Sequence, residues 1–133
     1  MDVIRNKIEI IERCLQRVRE VYNSNPENLH DVTKQDSIIL NLQRAIEASI
    51  DLAMHIVSME RLGLPQSSRD AFEMLHQKRI IDTNLLAKMN AMVGFRNIAV
   101  HNYQKIDLVI LQNIVEEHLA DFSDFVDAIK KWA

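Results

Sequence analysis

The sequence predicts an all-α protein, a single-domain antiparallel bundle of about five helices that forms a dimer. Only 2 Gly, 2 Pro and 5% aromatic residues accompany many Leu, Ile, Met, Ala, Glu and Lys residues, and this composition favours helix over sheet. Apolar residues recur at spacings of three and four along most of the chain, as they do on one face of an α-helix. The 133 residues, 47% of them hydrophobic, suffice for one core and are too few for two domains.

The first two helices are delimited by turn-forming residues. The first is predicted over residues 2–22, because a run of Asn and Ser before Pro26 favours a turn and stops the helix. The second is predicted from Thr33 to Leu62. Gly63 marks its C-terminal stop, and Pro65 lies just beyond.

Three further helices complete the predicted bundle. Ser67 or Ser68 caps a short third helix, and Thr83 caps a fourth. The fifth begins near Asp107 and carries an apolar stripe to the end of the chain. Because the connections are short, neighbouring helices are predicted to run antiparallel.

The second helix has an unusually wide apolar face. At about 100° per residue, its apolar positions cover an arc of about 200°, whereas a surface helix typically shows a stripe of about 100°. We therefore expect this helix to be covered on two sides, by its own bundle and by a partner chain. Its narrow polar strip holds Arg44, Glu47, Asp51, His55 and Ser58.

Charge, cysteine and histidine usage narrow the possible functions. The net charge is −3, so any contact with RNA must come from a local basic patch. The single Cys14 cannot form an intramolecular disulfide, and no signal segment or run of about 18 apolar residues is present, so we expect a cytoplasmic protein with no membrane contact. His30, His55 and His76 lack paired metal-ligand spacing, so no metal site is expected. No cofactor is expected either, because the sequence contains neither a Walker loop nor a dinucleotide-binding fingerprint. His118, on the apolar face of the fifth helix, is predicted to be a hydrogen-bonded core histidine.

Residues 94–103 form the most informative segment. Arg96 points towards the apolar face of the fourth helix, where an ordinary surface arginine would not lie. A buried guanidinium needs a carboxylate or a phosphate to offset its desolvation. Glu47 and Asp51, on the polar strip of the second helix, are its predicted internal partners.

Arg96 and His101 together could act on a phosphodiester. His can take or give a proton near neutral pH, for example with a ribose 2′-hydroxyl, and Arg presents a fork of donors to a phosphate. In an ideal helix the two side chains point about 140° apart, whereas Asn97 and His101 share a face. Either the helix ends near His101 or a second subunit completes the site, and the wide face of the second helix favours the dimer. Spacing alone leaves open a structural alternative, in which Arg96 is a paired core arginine and His101 interacts with the helix macrodipole.

The run Arg96-Asn97-Ile98-Ala99-Val100-His101-Asn102-Tyr103 resembles the R-x4-H-x-Y signature of the HepT toxins, which belong to the wider HEPN superfamily of helical ribonucleases. Residues 42–51, 64–72 and 92–97 resemble further segments of that family in the same order. The similarity therefore covers nearly the whole chain as one HEPN-like domain, residues 1–133.

This resemblance implies the toxin of a toxin–antitoxin pair, a homodimer that cleaves RNA without a metal in a cleft between subunits. By position, Arg96 would stabilise the phosphate, His101 would be the general base or acid, and Asn97 would help to shape the site. The antitoxin of such pairs is an MNT-type nucleotidyltransferase that transfers AMP to the toxin, and Tyr103 would be the acceptor. AMP phosphates two positions from His101 would place negative charge where the substrate phosphate must sit.

Two other functions stay open from the sequence. The chain could be a non-catalytic helical module that binds its nucleotidyltransferase partner. Alternatively, the polar strip and the surroundings of Arg96 could bind a free nucleotide and leave RNA intact.

Overall fold

Helices joined by short turns make up residues 2–133, which a computed structural model describes without any strand. The α-helices are α1 (Asp2–Tyr22), α2 (Val32–Met59), α3 (Ser68–Gln77), α4 (Thr83–His101), α5 (Leu108–Asn113) and α6 (Leu119–Trp132). Two 3-10 turns, Pro26–His30 and Tyr103–Lys105, precede α2 and α5, and a π-helical turn, Ile114–His118, joins α5 to α6. With α5, the π turn and α6 counted as one interrupted helix, the predicted all-α bundle of about five helices is confirmed.

The centre of the bundle is α2, which packs against α1, α3, α4 and the first 3-10 turn. Every apolar residue of its wide arc is buried within the one chain, so the expectation that a partner is needed to cover the second side is wrong. The flanking helices of the same chain remove both sides of the arc from water. These buried residues are Ile38, Ile39, Leu42, Ala45, Ile46, Ile50, Leu52, Ala53, Ile56 and Val57.

Side-chain caps begin four of the helices. Ser67 caps α3, as predicted, and Asp107 caps α5, near the predicted start of the fifth helix. Asp31 caps α2, so that helix begins slightly earlier than expected. The cap of α4 is Asp82 and not Thr83, because the Asp82 carboxylate accepts a backbone N–H of the first turn at 2.8 Å and Thr83 is already helical.

The C-terminal end of α2 comes earlier than predicted. The helix ends at Met59, before the predicted end at Leu62. Arg61 adopts a left-handed backbone conformation with φ of 52°, which stops the helix before Gly63 is reached. Gly63 then takes φ of 135°, a value that side-chain-bearing residues rarely adopt.

The last helical segment closes the core against the earlier ones. The rings of Phe72 on α3 and Phe125 on α6 meet edge to face, with centroids 5.6 Å apart, and both are fully buried. α6 also contacts α1 and α4. Between residues 2 and 133, no helix is both long and apolar enough to span a membrane.

His118 ends the π turn and is hydrogen-bonded, as predicted, although its side chain is only half-buried. Its Nδ1 lies 2.9 Å from Oδ2 of the buried Asp121. Lys88 Nζ lies 3.7 Å from the other carboxylate oxygen, so Asp121 is held between two basic side chains. This arrangement ties the start of α6 to the middle of α4.

Candidate active site

The end of α4 divides the motif between a helix and a turn. His101 is the last residue of α4, and Asn102 caps it with φ of −143° while its N–H donates to Ile98. Tyr103 begins the following 3-10 turn. The helix thus ends at His101 but still includes it, so its end does not bring Arg96 and His101 together within one chain.

Arg96 is half-buried on the inner side of α4, as predicted. Its Nη2 donates to the hydroxyl oxygen of Ser68 on α3 at 3.2 Å. Its Nε is buried and has no hydrogen-bond partner among the described residues. A buried N–H without a partner is costly, so the Ser68 contact is the hydrogen bond that holds this guanidinium in place.

The predicted pairing of Arg96 with Glu47 or Asp51 is wrong. The Glu47 carboxylate accepts a hydrogen bond from Gln43 at 3.1 Å, and the Asp51 carboxylate pairs with Lys7 at 3.1 Å. Because Arg96 is only half-buried, solvent offsets much of its desolvation, and a hydroxyl suffices where the prediction required a carboxylate.

His101 and Asn97 are both exposed on the outer side of α4. The His101 ring makes no side-chain hydrogen bond within residues 2–133, so both of its nitrogens are open to a ligand. The inward Arg96 and the outward His101 do not contact one another within one chain. A single protomer therefore presents the two groups as neighbours along one helix end, without a direct link.

Tyr103 contacts α2 through a residue that the sequence reasoning missed. Its hydroxyl donates a hydrogen bond to Oδ1 of Asp36, and the ring is 40% exposed. Burial, followed by the hydrogen bond and the charge of Asp36, raises the pKa of Tyr103 to about 12. No sequence signal pointed to Asp36, because it lies 67 residues from Tyr103 and on a different helix.

Exposed apolar side chains are concentrated around this helix end. Ten large hydrophobic residues are exposed in the described chain, and five of them, including Tyr103, lie between residues 98 and 110. The other four are Ile98, Val100, Val109 and Ile110. Such a concentration of exposed apolar side chains is typical of an interaction site.

Arg69, on α3, contacts α4 close to Arg96. The Nε and Nη2 atoms of Arg69 donate to the Asn90 carbonyl at 3.4 and 3.2 Å. Gly94 gives this side chain room, because a Cβ there would lie 3.1 Å from Arg69 Nη2. Ser68 and Arg69 thus hold α3 against the stretch of α4 that carries Arg96.

A basic groove of about 650 Å³ lies between α1 and α2. Arg13, Arg17 and Arg44 line it, and within residues 2–133 only Arg17 of these three is within salt-bridge distance of a carboxylate, that of Glu20 at 3.7 Å. This groove is the kind of local basic patch that the net charge of −3 requires of an RNA-binding protein. Cys14 also borders the groove, and burial raises the pKa of its thiol, which keeps it protonated.

Comparisons with known proteins agree on one group of relatives. A family model described as "Ribonuclease HepT-like" matches residues 11–129. The chain is 50% identical over 129 residues to the mRNA nuclease HepT of Shewanella oneidensis, with 97% of each chain covered. It is 28% identical over 106 residues to the tRNA nuclease HepT of Aphanizomenon flos-aquae, with 79% of this chain and 72% of that protein covered.

Two solved structures share the fold closely. A toxin–antitoxin complex with AMP-PNP superposes with a TM-score of 0.95 at 48% identity, covering 98% of this chain and 99% of that one. The tri-AMPylated Shewanella oneidensis HEPN toxin in complex with its MNT antitoxin superposes with a TM-score of 0.94 at 49% identity, with 98% of each chain covered.

Proposed function

The chain belongs to the family of HepT-like ribonucleases, and we propose that it is a toxin that cleaves RNA with Arg96 and His101 and without a metal ion. The observation that carries this proposal is the half-buried Arg96 guanidinium, held by Ser68, on the same helix end as the exposed His101. A guanidinium and an exposed imidazole at one helix end are suited to act on a phosphodiester.

The proposed chemistry needs proton transfer and charge stabilisation only. His101 takes the proton from a ribose 2′-hydroxyl, whose oxygen attacks the adjacent phosphorus, and the 5′-oxygen leaves with a proton from a second histidine. Arg96 donates to the phosphate oxygens as negative charge develops on them. The exposed Asn97, on the same face as His101, supplies an amide that orients the RNA.

We propose that the second histidine comes from a second copy of this chain. One protomer offers one His101, whereas cleavage uses a base and an acid, and a two-fold axis would supply both. The apolar side chains between residues 98 and 110 provide a surface for this association beside the motif. We therefore place the dimer interface on that surface, because the wide apolar face of α2 is already buried.

The proposed partner is a nucleotidyltransferase antitoxin of the MNT type, which silences the toxin by transferring AMP to Tyr103. Tyr103 lies two residues after His101, and its ring is 40% exposed. Added phosphates there would compete with the RNA phosphate for Arg96 and would repel the incoming backbone. Two structural relatives support this assignment: a toxin–antitoxin complex with AMP-PNP, and a tri-AMPylated HEPN toxin in complex with an MNT antitoxin.

Cleavage of a labelled RNA by the purified protein in excess EDTA tests the proposal. Wild type is expected to cut the RNA, whereas His101→Ala and Arg96→Ala are expected to lose about 10²-fold or more in rate. His30→Ala is the matched control, because His30 is likewise exposed and is not part of the motif.

Three results would contradict the proposal. Loss of cleavage in EDTA would overturn metal independence. Equal cleavage by wild type and His101→Ala would remove the role of His101. A folded wild type that binds the antitoxin and leaves every tested RNA intact would instead favour the non-catalytic module.

A further inference from the structure

The hydrogen bond from Tyr103 to Asp36 joins the end of the motif to the second turn of α2. It links the phenolic oxygen of Tyr103 to a carboxylate from a distant part of the sequence. Asp36 is exposed, and no basic side chain within residues 2–133 lies within salt-bridge distance of it. Its carboxylate therefore keeps lone pairs that are free to accept a proton.

We infer that Asp36 is the general base for AMP transfer to Tyr103, an inference that rests on the acceptor role proposed above. As the Tyr103 oxygen attacks the α-phosphorus of a nucleoside triphosphate held by the nucleotidyltransferase, the phenolic proton passes to the Asp36 carboxylate. The new bond joins the phenolic oxygen to phosphorus. The bond from phosphorus to the bridging oxygen breaks, and pyrophosphate leaves with its electron pair.

Tyr103 needs such a base because its phenol holds its proton firmly. With its pKa raised to about 12, chiefly by burial and then by Asp36, only a fraction of roughly 10⁻⁵ is ionised at neutral pH. The phenol therefore keeps its proton in the resting state, although it is hydrogen-bonded to the carboxylate. As the oxygen bonds to phosphorus it becomes strongly acidic, and a base already in hydrogen-bond contact then receives the proton without further movement.

The geometry also means that the acceptor protein supplies this base. Asp36 and Tyr103 are both in the toxin chain, and their contact exists before any partner binds. The nucleotidyltransferase then has only to present the α-phosphorus opposite a phenol that is already oriented.

The decisive variant is Asp36→Asn. The amide keeps the shape of the side chain and an oxygen that can accept the Tyr103 hydrogen bond, but it cannot take up the proton. AMP incorporation is followed by intact-protein mass spectrometry with the cognate nucleotidyltransferase and ATP, at several toxin concentrations. We expect kcat to fall about 10²-fold or more while KM for the toxin stays within about twofold, and Asp36→Glu to recover part of the rate.

The chain offers a matched control in its other tyrosine–carboxylate contact, between Tyr22 and Glu116. Glu116→Gln makes the same acid-to-amide change on the π turn, and it is expected to leave the AMP-transfer rate as in wild type. Melting temperatures and antitoxin binding of each variant establish that it is folded. Should Asp36→Asn fail to fold, Asp36→Glu against wild type carries the test, because a displaced carboxylate must still lower kcat.

The outcomes separate this inference from the proposed function. An unchanged kcat for Asp36→Asn, or a rise in KM alone, overturns the general base and leaves Asp36 as at most a positioning residue. If wild type takes up no AMP, or if Tyr103→Phe takes it up as wild type does, the acceptor assignment itself fails. Transfer that requires Tyr103 and slows in Asp36→Asn but not in Glu116→Gln supports the inference.

Discussion

Removing the hydroxyl that holds Arg96 should lower the rate of RNA cleavage by more than the accompanying loss of folding stability explains. In Ser68→Ala, Arg96 Nη2 loses its 3.2 Å hydrogen bond, and its Nε already lacks a partner. Hydrogen bonds to charged groups contribute about 1.5–3 kcal/mol, and the half-buried position of Arg96 argues for the lower end, about 1.5 kcal/mol. For a domain of this size, that loss lowers Tm by about 6 °C.

The neighbouring serine supplies the control. Ser67→Ala removes the N-cap of α3, whose hydroxyl accepts the Asp70 N–H at 3.1 Å, and this should cost about 1 kcal/mol. The two variants therefore lose comparable stability, but only Ser68→Ala releases the guanidinium. Urea unfolding measures the loss of stability, and single-turnover RNA cleavage measures the effect of releasing the guanidinium.

We expect Ser68→Ala to cleave RNA about tenfold more slowly than Ser67→Ala, because a mobile Arg96 stabilises the developing phosphate charge less well. Equal cleavage rates in the two variants would refute the reasoning, since they would show that Arg96 reaches the phosphate without help from α3. Equal rates combined with a normal Tm for Ser68→Ala would also mean that the hydrogen bond contributes nothing in solution.

Three further predictions address other parts of the molecule. Arg44→Gln should weaken RNA binding at low salt and reduce the slope of log K against log salt by about 0.9, measured by fluorescence anisotropy, if the groove contacts a phosphate. The pKa of Tyr103 is raised to about 12, so the phenol should stay protonated in the folded protein up to about that pH. The stability that comes from this raised pKa is fully present below the ordinary pKa of 10.0 and is lost as the pH rises through about 12. Ultraviolet titration of Asp36→Asn should show one phenol that ionises closer to pH 10. Gly94→Ala should change the free energy of unfolding by less than about 1 kcal/mol. The gain in helix propensity offsets the cost of displacing the exposed Arg69, whose Nη2 would lie 3.1 Å from the new Cβ. A larger loss of stability in urea unfolding would show that the guanidinium cannot move aside.

The helices themselves were predictable because local signals specify them. The spacing of apolar residues located every helix, and the serine and aspartate caps act within one turn of the residues they follow. The differences lie at the ends: Asp82 took the cap expected of Thr83, and α2 ended at Met59. Competing local caps differ by only a few tenths of a kcal/mol to about 1 kcal/mol, so the sequence alone does not separate them.

The π turn at Ile114–His118 was beyond the reach of such signals. Its extra residue shifts the apolar stripe of the last helix, and the sequence pattern reads almost the same with or without it. The contact of Asp121 with both His118 and Lys88 is a tertiary one, between the start of α6 and the middle of α4. Only the packed bundle brings these three side chains together.

The sequence by itself determined the fold class, the position of Arg96 on the inner side of its helix, and the motif that ends at Tyr103. All of these depend on residues close together along the chain. The tertiary structure decided what those residues touch: Ser68 in place of the predicted Glu47 or Asp51 for Arg96, and Asp36 for Tyr103. The physical reason is that helical periodicity specifies in which direction a side chain points, whereas the packing of one helix on another specifies which partner lies there.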